Sequence, residues 1–166
     1  MKPALTALAL CALAAILEGV AAGPGVRGHL ASLRAPRWAL SFGAWLVVGG
    51  IYYVVCFAVL YRLLRLPPSP LRTTALVMTS SLMAANAAFN FVFFRRRDLR
   101  ASFLSYLPYS ALALALFVVL LRADSVAAAV FGPYLVYFVY ATAWGYRMWQ
   151  LNRGTGPDDR SNRPRT

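Results

Sequence analysis

Residues 132–152 read GPYLVYFVYATAWGYRMWQLN, a stretch apolar enough for the interior of a lipid bilayer. About 20 helical residues cross a hydrocarbon core of about 30 Å, so the stretch predicts a membrane-spanning helix. It also contains four tyrosines and two tryptophans, whose polar groups need hydrogen-bond partners inside a membrane. The stretch therefore predicts a helix that turns a face of aromatic rings towards other helices.

The rest of the chain repeats this pattern of long uncharged runs. Its 166 residues are 60% hydrophobic, and the arginines cluster at the ends of the runs. Five runs are long enough to span a bilayer, and their approximate bounds are 3–22, 38–64, 71–94, 101–121 and 125–151. We therefore predict an all-α fold, an integral membrane bundle of five transmembrane helices formed by residues 1–152. Residues 153–166 predict a disordered basic tail.

The composition excludes several classes of function. His29 is the single histidine, which argues against a histidine-based metal site or a Ser-His-Asp triad. Cys11 and Cys56 lie alone in apolar runs, as expected of buried thiols. The net charge of +12 belongs to clusters flanking the runs, so membrane lipid rather than nucleic acid is the expected partner. We expect no catalytic residues and no required cofactor.

The first run has two readings. Lys2, the apolar centre and the residues VAAG resemble a secretory signal with a cleavage site. Against this, the run is long for a signal, and Glu18 would lie just before the cut. Ala15, Gly19 and Gly23 recur every four residues, which suits close helix packing in a membrane. We expect a retained span.

Five spans place the two termini on opposite sides of the membrane. One side carries five basic residues, namely Lys2, Arg62, Arg65, Arg72 and Arg122. The other side carries twelve, which lie in the first loop, the third loop and the C-terminal end. In an inner membrane, the positive-inside rule then predicts a cytoplasmic C-terminus.

Aromatic and amide side chains recur at helical spacing in three spans. In the fifth span, Tyr137, Tyr140 and Trp144 share a face, and their polar groups need partners there. The third span offers amides for this purpose, because Thr79, Met83, Asn86 and Asn90 also share a face, with Phe89 beside them. Amides are costly in lipid, so they should turn inward, to another helix or to a cavity.

The second span carries Trp38, Phe42 and Trp45, with the two tryptophans on one helical face. The same spacing also fits an ordinary core stripe. Glu18 is an acid within a span, which makes it a functional candidate unless it lies at the membrane interface. The candidate binding residues are therefore Trp38, Phe42, Trp45, Asn86, Phe89, Asn90, Tyr137, Tyr140 and Trp144.

Motifs in three stretches carry a resemblance to a known family. The fifth span has a Pro-Tyr-Leu opening, an Ala-Thr pair and a closing Leu-Asn, at Pro133, Tyr134, Leu135, Ala141, Thr142, Leu151 and Asn152. The third has an asparagine, an aromatic three residues on and a Phe pair, at Asn86, Phe89, Phe93 and Phe94. The second is preceded by Pro36 and Trp38. On these motifs the chain resembles the TspO/MBR family (translocator protein, tryptophan-rich sensory protein).

The chain also departs from the pattern of that family. Phe89 and Tyr137 stand where the family has tryptophans, Gly145 where it has asparagine, and Phe91 where it has proline. Trp45 follows Trp38 by seven residues, where the family favours six. A porphyrin-degrading activity attributed to some members depends on tryptophans, so we do not expect that activity here.

The resemblance implies a bundle with an intrabundle pocket for a hydrophobic small-molecule ligand. That ligand would be a porphyrin, another haem-pathway intermediate or a sterol-like lipid, and the role would be transport, sensing or regulation. Arginines of the first loop, Arg27, Arg34 and Arg37, would attract propionates. The resemblance also implies homodimers.

Two alternatives stay open. The chain could be a structural or assembly partner without a pocket, or a small proton-coupled transporter that uses Glu18.

Overall fold

The computed structural model describes residues 2–153, and the predicted tail lies outside the described residues except for Arg153. The helices are α1 (Lys2–Ala22), α2 (Val26–Ser32), α3 (Phe42–Arg65), α4 (Pro70–Asn90), α5 (Leu99–Ala123) and α6 (Ser125–Leu151). A π-helical segment, Phe91–Arg95, extends α4. Within residues 2–153, five helices are long and apolar enough to cross a membrane, α1, α3, α4 with its extension, α5 and α6. The predicted all-α, five-span membrane bundle is confirmed.

Four of these helices begin at side chains that cap their N-termini. Ser41 accepts a hydrogen bond from the backbone of α3, and Ser69 does the same for α4, in which Pro70 occupies the first turn. Asp98 caps α5, and Asp124 caps α6. Such caps satisfy backbone N–H groups that the helix itself leaves unpaired. The capping residues therefore define where these helices begin more sharply than the hydropathy of the sequence does.

The start of α3 corrects a sequence prediction. The second span was expected from residue 38, but α3 begins at Phe42, where the Ser41 hydroxyl caps the N–H of Ala44 at 3.2 Å. Trp38 therefore lies in the α2–α3 loop (residues 33–41) and shares no helical face with Trp45. The reason is that Pro36 and the Ser41 cap favour non-helical backbone, although residues 38–40 are apolar enough to belong to the span.

The short helix α2 was not predicted, and it lies between the first two spans. Gly23 and Gly25 take positive φ angles of 70° and 87°, which allow the chain to turn sharply after α1. The ring of His29 in α2 packs against Phe93 and Phe94 of the π-helical segment, with centroids 5.7 and 6.3 Å apart. α2 is thereby held against the end of α4.

The membrane helices form a closed ring. α1 packs against α3 and α4, α4 packs against α5, α5 against α6, and α6 returns to α3. The side chains of Val54, Leu107, Val136 and Val139 are 67–74% exposed on the outside of this ring, where acyl chains would cover them. α1 closes this ring between α3 and α4.

The two halves of the ring differ in packing. The half distant from α2 is solid, with fully buried side chains such as Leu63, Leu82, Leu116 and Leu120. The half next to α2 contains a cavity, because large rings and amides there cannot interdigitate as aliphatic side chains do. The candidate site is therefore the cavity in the half of the ring next to α2.

Candidate functional site

A cavity of about 450 Å³ lies among all five membrane helices. Its walls are mainly aromatic, and the rings belong to Phe42, Trp45, Tyr52, Tyr53, Phe89, Phe93, Phe94, Tyr106, Tyr109, Tyr134, Tyr137, Phe138 and Trp144. Concave, mostly apolar cavities with few polar groups are typical of small-molecule sites. The cavity has the size and lining of such a site.

The polar part of the wall is built around Glu18 of α1. Its Oε2 accepts hydrogen bonds from the hydroxyl of Tyr53 at 2.6 Å and from Nδ2 of Asn86 at 2.8 Å. Its Oε1 accepts one from Nδ2 of Asn90 at 3.0 Å. We call Glu18, Tyr53, Asn86 and Asn90 the Glu18 cluster. It joins α1, α3 and α4 through side chains alone.

Helix geometry explains how the cluster assembles. Asn86 and Asn90 are four residues apart and therefore point from the same face of α4, which packs against α1. Both amides turn inward, as their cost in lipid predicts. Glu18 lines the cavity, so its side chain faces the interior of the bundle.

The prediction that the amides of α4 bond to the polar groups on the aromatic face of α6 was wrong. The amides of α4 bond to Glu18, whereas the Tyr140 hydroxyl donates to the backbone oxygen of Trp38 at 3.3 Å and accepts from the N–H of Leu40 at 3.2 Å. Because the α2–α3 loop supplies backbone groups beside α6, Tyr140 is satisfied there.

Seven of the nine candidate residues line the cavity, namely Phe42, Trp45, Asn86, Phe89, Asn90, Tyr137 and Trp144. Trp38 and Tyr140 are not among the lining residues. Their rings pack edge to face on one another, with centroids 5.4 Å apart. They join the α2–α3 loop to α6 instead.

Two tryptophans form one end of the cavity. The rings of Trp45 and Trp144 lie 4.8 Å apart, and Phe93 packs on Trp144 at 5.5 Å. The indole N–H of Trp144 is buried and has no hydrogen-bond partner within the described residues. A buried donor without a partner is costly, so this N–H is suited to an acceptor on a bound molecule.

Several lining residues were missed from the sequence. Tyr52 follows Trp45 and Gly49 by helical spacing on α3, a signal that could have found it. Tyr106 and Tyr109 on α5 are three residues apart, and the Tyr109 hydroxyl lies 2.7 Å from that of Tyr134. Between Arg100 and Arg122, α5 contains no amide or charged side chain that would indicate a site near this pair.

A smaller cavity of about 240 Å³ adjoins the first beneath the α2–α3 loop and shares Leu30, Phe42, Trp45 and Trp144 with it. Arg27 lines it, with its guanidinium carbon 5.9 Å from the centre of the Phe42 ring. Arg34 and Arg37, also expected to attract a ligand, line neither cavity. One cationic side chain thus stands next to the aromatic end of the main cavity.

The described residues contain no cluster of His, Cys, Asp and Glu side chains that could hold a metal ion. His29 lies outside both cavities. Burial lowers the pKa of its imidazole, and the positive charge of Arg97 lowers it further. A neutral His29 therefore packs as part of the α2 contact with the π-helical segment.

Comparisons with known proteins agree with this architecture. No curated protein matches the sequence at a significant level. The model of the TspO/MBR family matches residues 7–150, which include every residue that lines the main cavity and all of the five membrane helices except residues 2–6 and 151. A match over nearly the whole chain, together with the five-helix membrane bundle, shows that this protein belongs to the TspO/MBR family.

Proposed function

We propose that this protein binds a flat hydrophobic ligand in the cavity of its bundle, with a role in transport, sensing or regulation. The observation that carries the proposal is the 450 Å³ cavity, walled by aromatic rings and by the Glu18 cluster. Rings on several helices offer stacking surfaces to a conjugated or fused-ring molecule. The cluster and the Trp144 N–H offer a few polar contacts that would orient it.

The lining suits a tetrapyrrole or a sterol-like lipid. Among the residues that line the main cavity there is no histidine, cysteine or methionine, and the residues present that could ligate haem iron are tyrosines. Arg27 in the adjoining cavity supplies a cation for an acidic substituent of the ligand. The available chemistry is therefore stacking and hydrogen bonding.

The alternative of an assembly partner without a pocket is less well supported, because a cavity of this size is present in the bundle. Homodimers remain a proposal that follows from family membership, and the exposed apolar outer faces would serve lipid or a second copy equally.

Quenching of tryptophan fluorescence by protoporphyrin tests the proposed function. Trp45 and Trp144 line the cavity, whereas Trp149 stacks on Phe103 away from it. We expect saturable quenching of the detergent-purified protein at micromolar protoporphyrin. Trp45→Phe should remove a large share of the saturable signal, and the matched control Trp149→Phe should retain its saturation curve.

If Trp149→Phe rather than Trp45→Phe removed the saturable signal, porphyrin would bind on the outside of the bundle. If quenching does not saturate in protein whose helix content is intact by circular dichroism, porphyrin binding is excluded. A sterol-like ligand would then be tested by the same titration with a fluorescent sterol.

A further inference from the structure

The carboxylate of Glu18 is surrounded by hydrogen-bond donors. The hydroxyl of Tyr53 and the side-chain amides of Asn86 and Asn90 all donate to it, at 2.6, 2.8 and 3.0 Å. A side chain that only accepts has the hydrogen-bonding pattern of an ionised carboxylate. The cluster therefore surrounds the Glu18 carboxyl group in the cavity wall with three donors, an arrangement that favours its negatively charged form.

This charge has no cationic partner among the described residues. In residues 2–153 the one ion pair joins Arg62 to Asp124. Arg95 reaches α1, but its guanidinium donates to the backbone oxygen of Val20 at 3.4 Å. A charge inside a bundle is stabilised best by an opposite charge, and three neutral donors leave the net charge in place.

The carboxylate also has room for a further donor. Its two oxygens offer about four acceptor positions. Three of these are used, two on Oε2 and one on Oε1. Because Glu18 lines the cavity, we expect a ligand there to reach the remaining acceptor position of the carboxylate. The aromatic walls would in addition attract a cation through their ring faces.

We propose that Glu18 is the anchor for a protonated nitrogen of the ligand, so that the Glu18 end of the cavity prefers polycyclic arylalkylamines, which are cations at neutral pH, over neutral or acidic molecules of the same shape. This inference rests on the proposed function, since it uses the same cavity. A hydroxyl could fill the open acceptor position but would not neutralise the charge. An acidic group at this end of the cavity would be repelled.

Three naphthalene derivatives of similar shape test the preference, and tryptophan quenching or calorimetry in detergent measures their Kd. The probes are 1-naphthylmethylamine, 1-naphthalenemethanol and 1-naphthoic acid, which are a cation, a neutral molecule and an anion at neutral pH. In the wild-type protein we expect the amine to bind about tenfold or more tightly than the alcohol. The acid should bind most weakly.

The variant Glu18→Gln keeps the size of the side chain and removes its charge. We expect it to lose most of the amine preference while the Kd of the alcohol changes less than about twofold. Asp98→Asn is the matched control, because it removes an acid that caps α5 and lies outside the cavity. This control should keep the preference of the wild type.

Equal binding of amine and alcohol by the wild-type protein would overturn the inference, even if Glu18→Gln failed to fold. The proposed function would then stand, because an aromatic molecule still enters the cavity. An unchanged amine preference in folded Glu18→Gln would also overturn the inference. If none of the three probes binds, the inference is overturned and the proposed function loses its support from small aromatic ligands.

Discussion

Individual residues decide which part of this bundle stays hollow. On α4, Leu82 is fully buried in the packed half, whereas Asn86, one turn further on, bonds to Glu18 in the cavity wall. An amide cannot pack as an aliphatic side chain does, and it requires a polar partner when removed from water. The change from leucine at position 82 to asparagine at position 86 thus marks the boundary of the cavity on this face of α4.

Tyr53→Phe tests how strongly the Glu18 cluster holds α1 to the bundle. The change removes the hydroxyl that donates to Glu18 at 2.6 Å and keeps the ring. Since hydrogen bonds to charged groups contribute about 1.5–3 kcal/mol, we expect the free energy of unfolding to fall by that order. Denaturation in SDS, followed by circular dichroism, measures it.

The control is Tyr61→Phe, because the Tyr61 hydroxyl accepts only a long hydrogen bond, 3.4 Å, from the exposed Arg65. It should change the free energy of unfolding by less than about 0.5 kcal/mol. Equal effects of the two variants would show that the hydroxyl of Tyr53 adds little to the attachment of α1.

Gly145→Ala tests the contact between α5 and α6 at the cavity. A methyl group at Gly145 would lie 2.5 Å from Cε2 of the Tyr106 ring. Because Tyr106 is otherwise buried, we expect its ring to be pushed towards the cavity, at a cost of about 1–3 kcal/mol. A lowered melting temperature and weaker binding of aromatic probes would report this.

Gly132→Ala is the matched control in the same helix, since its methyl group would meet Phe117 at an ordinary 3.8 Å. It should leave probe binding unchanged. If Gly145→Ala binds the probes as the wild type does, Tyr106 has another position available and its ring does not limit the cavity.

At the scale of helices, the ends matter as much as the faces. Asp124 caps α6 through the N–H groups of Val126 and Ala127, and it also pairs with Arg62 of α3, where both hydrogen bonds measure 2.9 Å. One side chain thereby sets the start of α6 and joins α6 to α3. This connection lies in the packed half, opposite the cavity.

The stability of this connection should depend on pH. Burial alone would raise the pKa of the Asp124 carboxyl, but the hydrogen bonds from Arg62 and from the two backbone N–H groups outweigh it, so the pKa is lowered. The unfolded chain then binds the proton more readily. The resulting stabilisation is present above the ordinary value of 3.8 and is lost as the pH falls through the lowered pKa.

Asp124→Asn checks this sign, because asparagine also caps helices but cannot pair with Arg62 as an ion. We expect the melting temperature of the variant to lie below that of the wild type above pH ~5, and the difference to shrink as the pH approaches ~3. Asp98→Asn, which changes a capping acid without an ion pair in the described residues, should follow the wild-type pH profile.

The α2–α3 loop is attached to α6 by two polar contacts beside the smaller cavity. The Asn152 side chain bonds to both backbone groups of Arg34 at 3.0 Å, and the Tyr140 hydroxyl bonds to the backbone of Trp38 and Leu40. Backbone groups held in this way should be protected from solvent. The loop therefore behaves as a cover that α6 keeps in place.

Tyr140→Phe should loosen this cover while preserving the ring contact with Trp38. We expect faster hydrogen–deuterium exchange in residues 33–41 and an unchanged rate in α5, measured by mass spectrometry in detergent. Tyr146→Phe, at a tyrosine 40% exposed near the end of α6, is the control. Unchanged exchange in Tyr140→Phe would mean that the hydroxyl adds little and that Asn152 and the ring contact with Trp38 hold the loop.

For the molecule as a whole, hydropathy predicted five spans because lipid imposes a length and a composition on each helix. α6 occupies the predicted residues 125–151, whereas the start predicted for α3 failed at Trp38, since apolar composition cannot distinguish a helix from a packed loop. The inward position of Asn86 was predictable from its cost in lipid. Its bond to Glu18 was not, because that depends on which helices are neighbours.

The last prediction concerns the orientation of the bundle. The cavity and the α2–α3 loop lie on the side that carries most of the basic residues, so in an inner membrane they should face the cytoplasm. Ala35→Cys places a thiol on that side, and Pro68→Cys places one in the opposite loop. In intact bacterial cells an impermeant maleimide should label Pro68→Cys alone, and in inside-out vesicles Ala35→Cys alone. The wild type should stay unlabelled, because Cys11 and Cys56 are buried, and the reversed labelling would invert the orientation.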